Sequence, residues 1–223
     1  MPYYQSTYYS RIFRDFKEID AVNYRRVIRF YEDKEEDIKR LDFDEYFELI
    51  VAYVNALFEV GAYQKHLLMV DVVIEMAIVH NVKIYRGEDI YQKMLFRKSA
   101  SLYNIMEYDK AEYILRELIK IDPYNEDTIL FLRKCLRKKA PGFLNNAKAF
   151  SIFLFLLSAF LISVEVLFVR PFYKEQVAEI EATRTGIFLL GCAVLAGGVL
   201  LHRWLVQRKV SLFVAKRRNA KIY

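Results

Sequence analysis

Two nearly pure apolar runs constrain what this chain can fold into more than any other feature. Residues Ala149 to Val169 read AFSIFLFLLSAFLISVEVLFV, 21 residues with one charge, Glu165. As a helix rising about 1.5 Å per residue, this run spans roughly 30 Å, the thickness of a bilayer hydrocarbon core. The second run, TGIFLLGCAVLAGGVLL from Thr185 to Leu201, has no charge in 17 residues. Trp204 follows it, where an indole suits a lipid–water interface. Neither run has the polar stripe of a helix packed in a water-soluble core, and neither lies near the N-terminus as a signal peptide would. We therefore expect an integral membrane protein. Two spans, about residues 149–169 and 185–205, form a transmembrane hairpin within residues 141–206, and a basic tail follows at 207–223.

Charge placement orients the hairpin. The net charge is +6, but the excess is uneven. Between the spans, Arg170, Lys174 and Arg184 face Glu175, Glu179 and Glu181. Arg133, Lys134, Arg137, Lys138, Lys139 and Lys148 precede the first span. Arg203, Arg208, Lys209, Lys216, Arg217, Arg218 and Lys221 follow the second. The positive-inside rule then puts both termini in the cytoplasm, and the basic flanks are expected to meet anionic lipid head groups. High use of Tyr, Phe, Lys and Ile resembles an AT-rich bacterial genome, so a bacterial inner membrane is the expected location.

An ionisable group inside a span is by default a functional candidate. Glu165, however, lies four residues from Val169, roughly 6 Å from the outer end of the span, within reach of Arg170. A structural role is expected for it. Ser151, Ser158 and Glu165 recur at intervals of seven, a spacing that suits either a packing seam or one wall of a pore. In the second span Ala193 with Gly197, and Cys192 with Ala196, form small-xxx-small pairs. Small residues let helix backbones approach closely, so these four are expected to pack spans together, within one chain or in a homo-oligomer.

The rest of the chain differs in kind. Hydrophobic residues make up 55% of the whole, yet 28% is charged, which separates a charged part from an apolar one. Four of the seven glycines lie after residue 185, so residues 1–140 have few breakers and should be mostly helical. Within them, SLYNIMEYDKAEYILRELIKIDPYNED reads as two short helices joined at Glu107-Tyr108-Asp109 and stopped at Pro123. Leu95, Ser99, Leu102, Tyr108, Ala111, Leu115 and Pro123 supply large, small, large, aromatic, small, large and helix-ending residues in order. Over Gln92 to Asn125 this pattern resembles a tetratricopeptide repeat, whose period is about 34 residues. Lys98 departs from an apolar position, and no glycine precedes Tyr108. A looser copy upstream has Ile50, Leu57, Gly61, Tyr63, Val70 and Val73 at matching places, with Val54 and His66 at the small-residue sites. Tyr63 and Tyr108 stand 45 residues apart, an excess assigned to an insertion near HNVKIYRGED. Tyr24 to Lys39 is expected to be a helix of an earlier, degenerate repeat, and Asn125 to Lys139 a capping helix. Residues 1–140 are thus expected to form an all-α, tetratricopeptide-like stack of helical hairpins on the cytoplasmic side.

The resemblance implies a binding groove along the first helix of each pair. Carried onto this chain, its lining includes Glu48, Val51, Asn55, Phe58 and Glu59, then Lys93, Phe96, Arg97, Ala100, Tyr103 and Asn104. Asn55, Phe58, Lys93, Phe96, Arg97, Tyr103 and Asn104 are the candidate partner-binding residues. Lys93, Arg97 and Asn55 match part of a carboxylate clamp known in the family, but Val51 stands where that clamp wants lysine. An aromatic groove of mixed charge suits a protein partner; nucleic acid would want a continuous basic stripe.

Other classes lack their signatures. Cys135 and Cys192 have no C-x-x-C partner, His66, His80 and His202 have no metal-ligand spacing, and no phosphate-binding, hydrolase or zinc-protease motif occurs. Neither an enzyme, a metal nor a cofactor is expected. The acidic run Glu32 to Asp37 lacks the glycine-centred spacing of a calcium loop. The tyrosine-rich start, MPYYQSTYYSRIFRDF, is short for a domain and is read as a packing or docking segment. The expectation is a membrane-tethered adaptor or scaffold that binds a partner protein at the cytoplasmic face and helps assemble a membrane complex. The alternative is an oligomeric membrane effector or pore whose helical domain senses a ligand or partner.

Overall fold

The computed structural model describes residues 10–139, 141–172 and 177–222. The first tyrosines of the N-terminal run, together with Lys174 and Glu175, lie outside them. The protein is all-α, and its only strands among the described residues are two residues long. It separates into two compact units that divide between Thr128 and Ile129.

In the first unit the helices are α1 (Arg11–Lys17), α2 (Tyr24–Asp33), α3 (Glu35–Ile38), α4 (Phe43–Glu59), α5 (Tyr63–Val79), α6 (Ile90–Asn104) and α7 (Tyr108–Ile121). Lys34, at φ −118°, breaks the stretch from Tyr24 to Lys39 into α2 and α3. Polar residues set the starts. Ser10, Asn23, Asp42 and Asp89 each accept a hydrogen bond from a backbone N–H of the following first turn. The helices pack in succession, α2 on α4, α4 on α5, α5 on α6 and α6 on α7, and α1 lies against α4. Ile50, Val54, Leu57, Val70, Val73 and Met94 form the fully buried centre. Ser99 and Ala111, the small residues of the α6–α7 pair, are also fully buried, which allows those helices close approach.

Three helix ends share one turn. The N–H groups of Ala62, Val82 and Glu107 donate to the carbonyls of Leu57, Ala77 and Leu102 at 2.9, 2.8 and 2.9 Å. In each the preceding residue, Gly61, Asn81 or Met106, holds a left-handed φ of +78°, +54° or +67°. This is the Schellman ending, for which glycine is the unstrained choice. Between α5 and α6 the chain forms a short antiparallel hairpin, β1 (Ile84–Tyr85) and β2 (Glu88–Asp89), turned by Arg86 and Gly87, both at positive φ. Its Tyr85 ring meets Phe47 edge-on at 5.7 Å.

Helix α8 (Glu126–Lys138) runs across the division between the units. In the second unit α9 (Gly142–Val164) continues through a π-helical turn (Glu165–Val169) into α10 (Arg170–Phe172), and α11 (Val177–Ile222) packs back along α9. Pro171 accounts for the π turn. It has no N–H for the Leu167 carbonyl, and its ring crowds that carbonyl, so the preceding turn widens. The N–H of Arg170 accordingly donates to the carbonyl of Glu165, five residues back. Both apolar runs lie in helices long and apolar enough to cross a membrane. Most of each apolar window faces outward, with Phe150, Phe153, Leu156, Phe160, Leu189 and Leu200 exposed. The second run sits inside a longer helix than its apolar length implies, because α11 begins at Val177 and continues through the basic segment to Ile222.

Candidate functional site

On the first unit, Lys93, Phe96 and Arg97 converge on a pocket of about 290 Å³. Gln92 lies beside them on α6, Leu118 of α7 forms part of the wall, and Asn125, Asp127 and Thr128 close the far side. Local structure fixes these side chains. Asp89 caps α6 by accepting from the Gln92 N–H at 2.9 Å and from its Nε2 at 3.0 Å. Asn125 accepts from the N–H and hydroxyl of Thr128 at 2.9 and 3.1 Å.

The cations of the pocket are already neutralised. Lys93 pairs with Glu88 of the β-hairpin, and Arg97 Nη2 donates to Glu59 Oε1 at 3.0 Å. The Arg97 guanidinium also lies over the Phe58 ring, 4.9 Å from its centre. Its Nη1 is buried with no partner among the described residues. The pocket therefore offers an aromatic surface, balanced charge and one unused N–H donor, which suits a polypeptide segment better than a polyanion.

Beneath Phe58, His66 is fully buried, with the two rings 5.4 Å apart. His66 Nδ1 shares a 2.9 Å hydrogen bond with Ser101 Oγ, while Nε2 has no partner among the described residues. Burial, and then the nearby Arg97 charge, push its pKa down to about 4, so it is neutral at pH 7.

The other candidate groove residues lie elsewhere. Asn55 borders a separate pocket next to α1. Tyr103 meets Tyr108 edge-on at 5.4 Å, at the α6–α7 turn, and Asn104 is the last, exposed residue of α6. Val51 is buried in the core. Glu48 is tied down, accepting from Lys17 Nζ and Arg86 Nη2 at 2.6 Å each. Burial opposes ionisation of Glu48, but these two bonds prevail and hold its pKa below the usual carboxylate value. The part played by α1 and the hairpin tip in covering α4 escapes the sequence reading. The Arg-Gly pair at 86–87 was the available turn signal.

In the second unit, Glu165 is fully buried. Its Oε1 accepts from Arg170 Nε and Nη2 at 3.2 and 2.8 Å, and its Oε2 from Arg184 Nη1 at 2.9 Å. Arg184 is the partner that spacing along one helix could not reveal, for it stands on α11. Ser151 and Ser158 are buried on the same side of α9, and Ser158 Oγ donates to the Arg184 carbonyl at 3.5 Å. The seven-residue polar row thus faces α11 within the hairpin. The close contacts of α11 fall on Gly191 and Gly198. A Cβ at Gly191 would stand 2.8 Å from the Phe155 ring, and one at Gly198 would stand 3.1 Å from Ala147 Cβ. Cys192, Ala193, Ala196 and Gly197 are exposed and turned away from α9. Comparison with protein-family models, curated proteins and solved structures returns no match.

Proposed function

We propose that the chain is a membrane-tethered adaptor whose tetratricopeptide-like domain holds a segment of a partner protein at the cytoplasmic face. The observation that carries this is the α6 pocket, with Phe96 between two neutralised cations, on a chain that continues into two outward-apolar helices. The resemblance to tetratricopeptide repeats gains support from the matching turns after α4 and α6 and from the buried small residues between α6 and α7. Basic residues on the flanks of the spans favour cytoplasmic termini and contact with anionic lipids. The outward small residues of α11 offer a face through which hairpins of several chains could pack. An anchor is favoured over a pore because Ser151, Ser158 and Glu165 are turned toward α11 within one hairpin.

Site-specific photocrosslinking in intact cells tests the adaptor role. A crosslinking residue at Phe96 should capture a discrete protein in the membrane fraction, and one at exposed Leu68 should not. Identical capture from both positions, or none from Phe96, would remove the α6 pocket as the partner site.

A further inference from the structure

We propose that the outer face of α2 docks the first unit onto an anionic phospholipid surface. The sequence RRVIR sets Arg25, Arg26 and Arg29 about one helical turn apart, a spacing that places them on one side of α2. The opposite side holds the helix to the domain. Val27 and Tyr31 are buried, Tyr31 stacks on Tyr53 with ring centres 4.1 Å apart, and Phe30 meets Phe16 at 5.8 Å. That anchorage turns the three arginines outward, and all three are exposed. Val22, 70% exposed, stands in the turn just before the helix.

None of these three side chains makes an ion pair or a hydrogen bond among the described residues. Other cations of the unit do. Lys17, Lys34, Lys39, Lys65 and Lys98 each stand within 3.2 Å of a carboxylate. The acids of α2 leave the cluster uncompensated. Glu32 is engaged by Lys65 and Tyr53, and Asp33, at the far end of the helix, is exposed and meets no arginine. Like charges one turn apart repel, and a layer of external anions relieves that repulsion. A guanidinium presents paired N–H groups to a phosphate, which favours phospholipid over a carboxylate-coated surface. The inference rests on the tether proposed above, which keeps a bilayer within reach at high effective concentration. Each arginine near an anionic surface contributes about fivefold in affinity, so the three together contribute about a hundredfold. No residue of α2 lines the α6 pocket, which stays free for a polypeptide.

The test uses the full chain in lipid nanodiscs, with an environment-sensitive fluorophore on Val22→Cys in a Cys192→Ser background, Cys135 being buried. In discs with about one-third phosphatidylglycerol, the probe should shift to the blue and its quenching by acrylamide should fall about threefold, relative to phosphatidylcholine discs. Salt at about 1 M, where charges are screened beyond about 3 Å, should remove the difference. So should Arg25→Gln, Arg26→Gln and Arg29→Gln combined. A probe on Leu68→Cys of α5, also exposed, should not distinguish the two lipids. No response to phosphatidylglycerol, a response that survives salt or the triple substitution, or an equal response at position 68 would each overturn the proposal. Shielding by polyglutamate but not by phosphatidylglycerol would overturn it in favour of an acidic protein segment. If circular dichroism finds the triple variant unfolded, the lipid and salt comparisons decide the matter alone. Co-elution with the discs reads the tether separately. A chain that stays in neutral discs but ignores phosphatidylglycerol overturns this inference alone, whereas one that leaves the discs overturns the tether as well.

Discussion

Met106 carries a cost that its counterpart avoids. Gly61 and Met106 occupy the same place in the turns that end α4 and α6, both left-handed, and only glycine adopts that conformation without strain. Met106 is 74% exposed, so its side chain contributes little packing in return. Met106→Gly should therefore stabilise the first unit by about 1 kcal/mol, read as a higher denaturation midpoint of the full chain in detergent. At His66 the sign runs with acid. Its folded pKa, about 4, lies below the unfolded value near 6.5, so the unfolded state binds the proton first. Stability supplied by neutral His66 is complete above pH 6.5 and is lost as pH falls toward 4. The amount is on the order of 2 kcal/mol after allowance for solvent screening. A His66→Gln chain should show a shallower pH slope in that window, and an unchanged slope would deny His66 this role. At this scale the sequence was partly legible. The absence of glycine before Tyr108 was visible, but the left-handed φ that makes it costly was not. His66 looked like a misfit at a small-residue site, because the Ser101 hydroxyl that receives it lies 35 residues away.

Among the elements, the paired helices α9 and α11 rest on two kinds of contact. The first is the carboxylate of Glu165 between two guanidiniums. Removing one partner of a buried pair commonly costs 3–5 kcal/mol, because the remaining charge is stranded. Arg170 is more than half exposed and can reach water, so the loss in Glu165→Gln should be nearer 2–3 kcal/mol. Arg184→Gln should cost a similar amount, and the double variant should cost clearly less than the sum. Denaturation of the four chains in mild detergent would measure this coupling, and strict additivity would refute it. The second contact is glycine spacing. Gly191→Ala should destabilise the hairpin by about 1–3 kcal/mol through its clash with Phe155, whereas Gly197→Ala, in open space, should be neutral. Apolar run length and seven-residue spacing revealed both helices and the polar row. They did not reveal which small residues meet the neighbour. Rotation of α11 about its axis decides between Gly191 and Ala193, and that rotation depends on tertiary packing.

For the whole molecule, the adaptor reading requires the helical domain and the basic tail to share one side of the membrane. Reporter fusions after Lys139 and near Tyr223 should both give cytoplasmic signals, and a fusion within Gln176 to Ile180 an external one. An external signal at either terminus would reverse the topology. The class of fold and the two apolar helices were legible because hydrophobic periodicity and run length act locally along the chain. The candidate site was legible only in part. Lys93, Phe96 and Arg97 share a face of α6, but their partners Glu88 and Glu59 belong to other elements.

The length of α11 has a mechanical consequence. Its 46 residues form one uninterrupted helix of roughly 70 Å, more than twice a hydrocarbon core. Seated in a bilayer, such a rod would be a lever with its fulcrum in the lipid. A span that ended at Trp204 could tilt to suit bilayer thickness and affect nothing else. Here the 18 residues from Leu205 to Ile222 continue on the same axis for roughly 27 Å. Each degree of tilt at the fulcrum sweeps the basic end sideways by about half an ångström. Membrane thickness, lateral tension or the arrival of a neighbouring hairpin would thus be written as a displacement of the positive charge that α11 carries at its end.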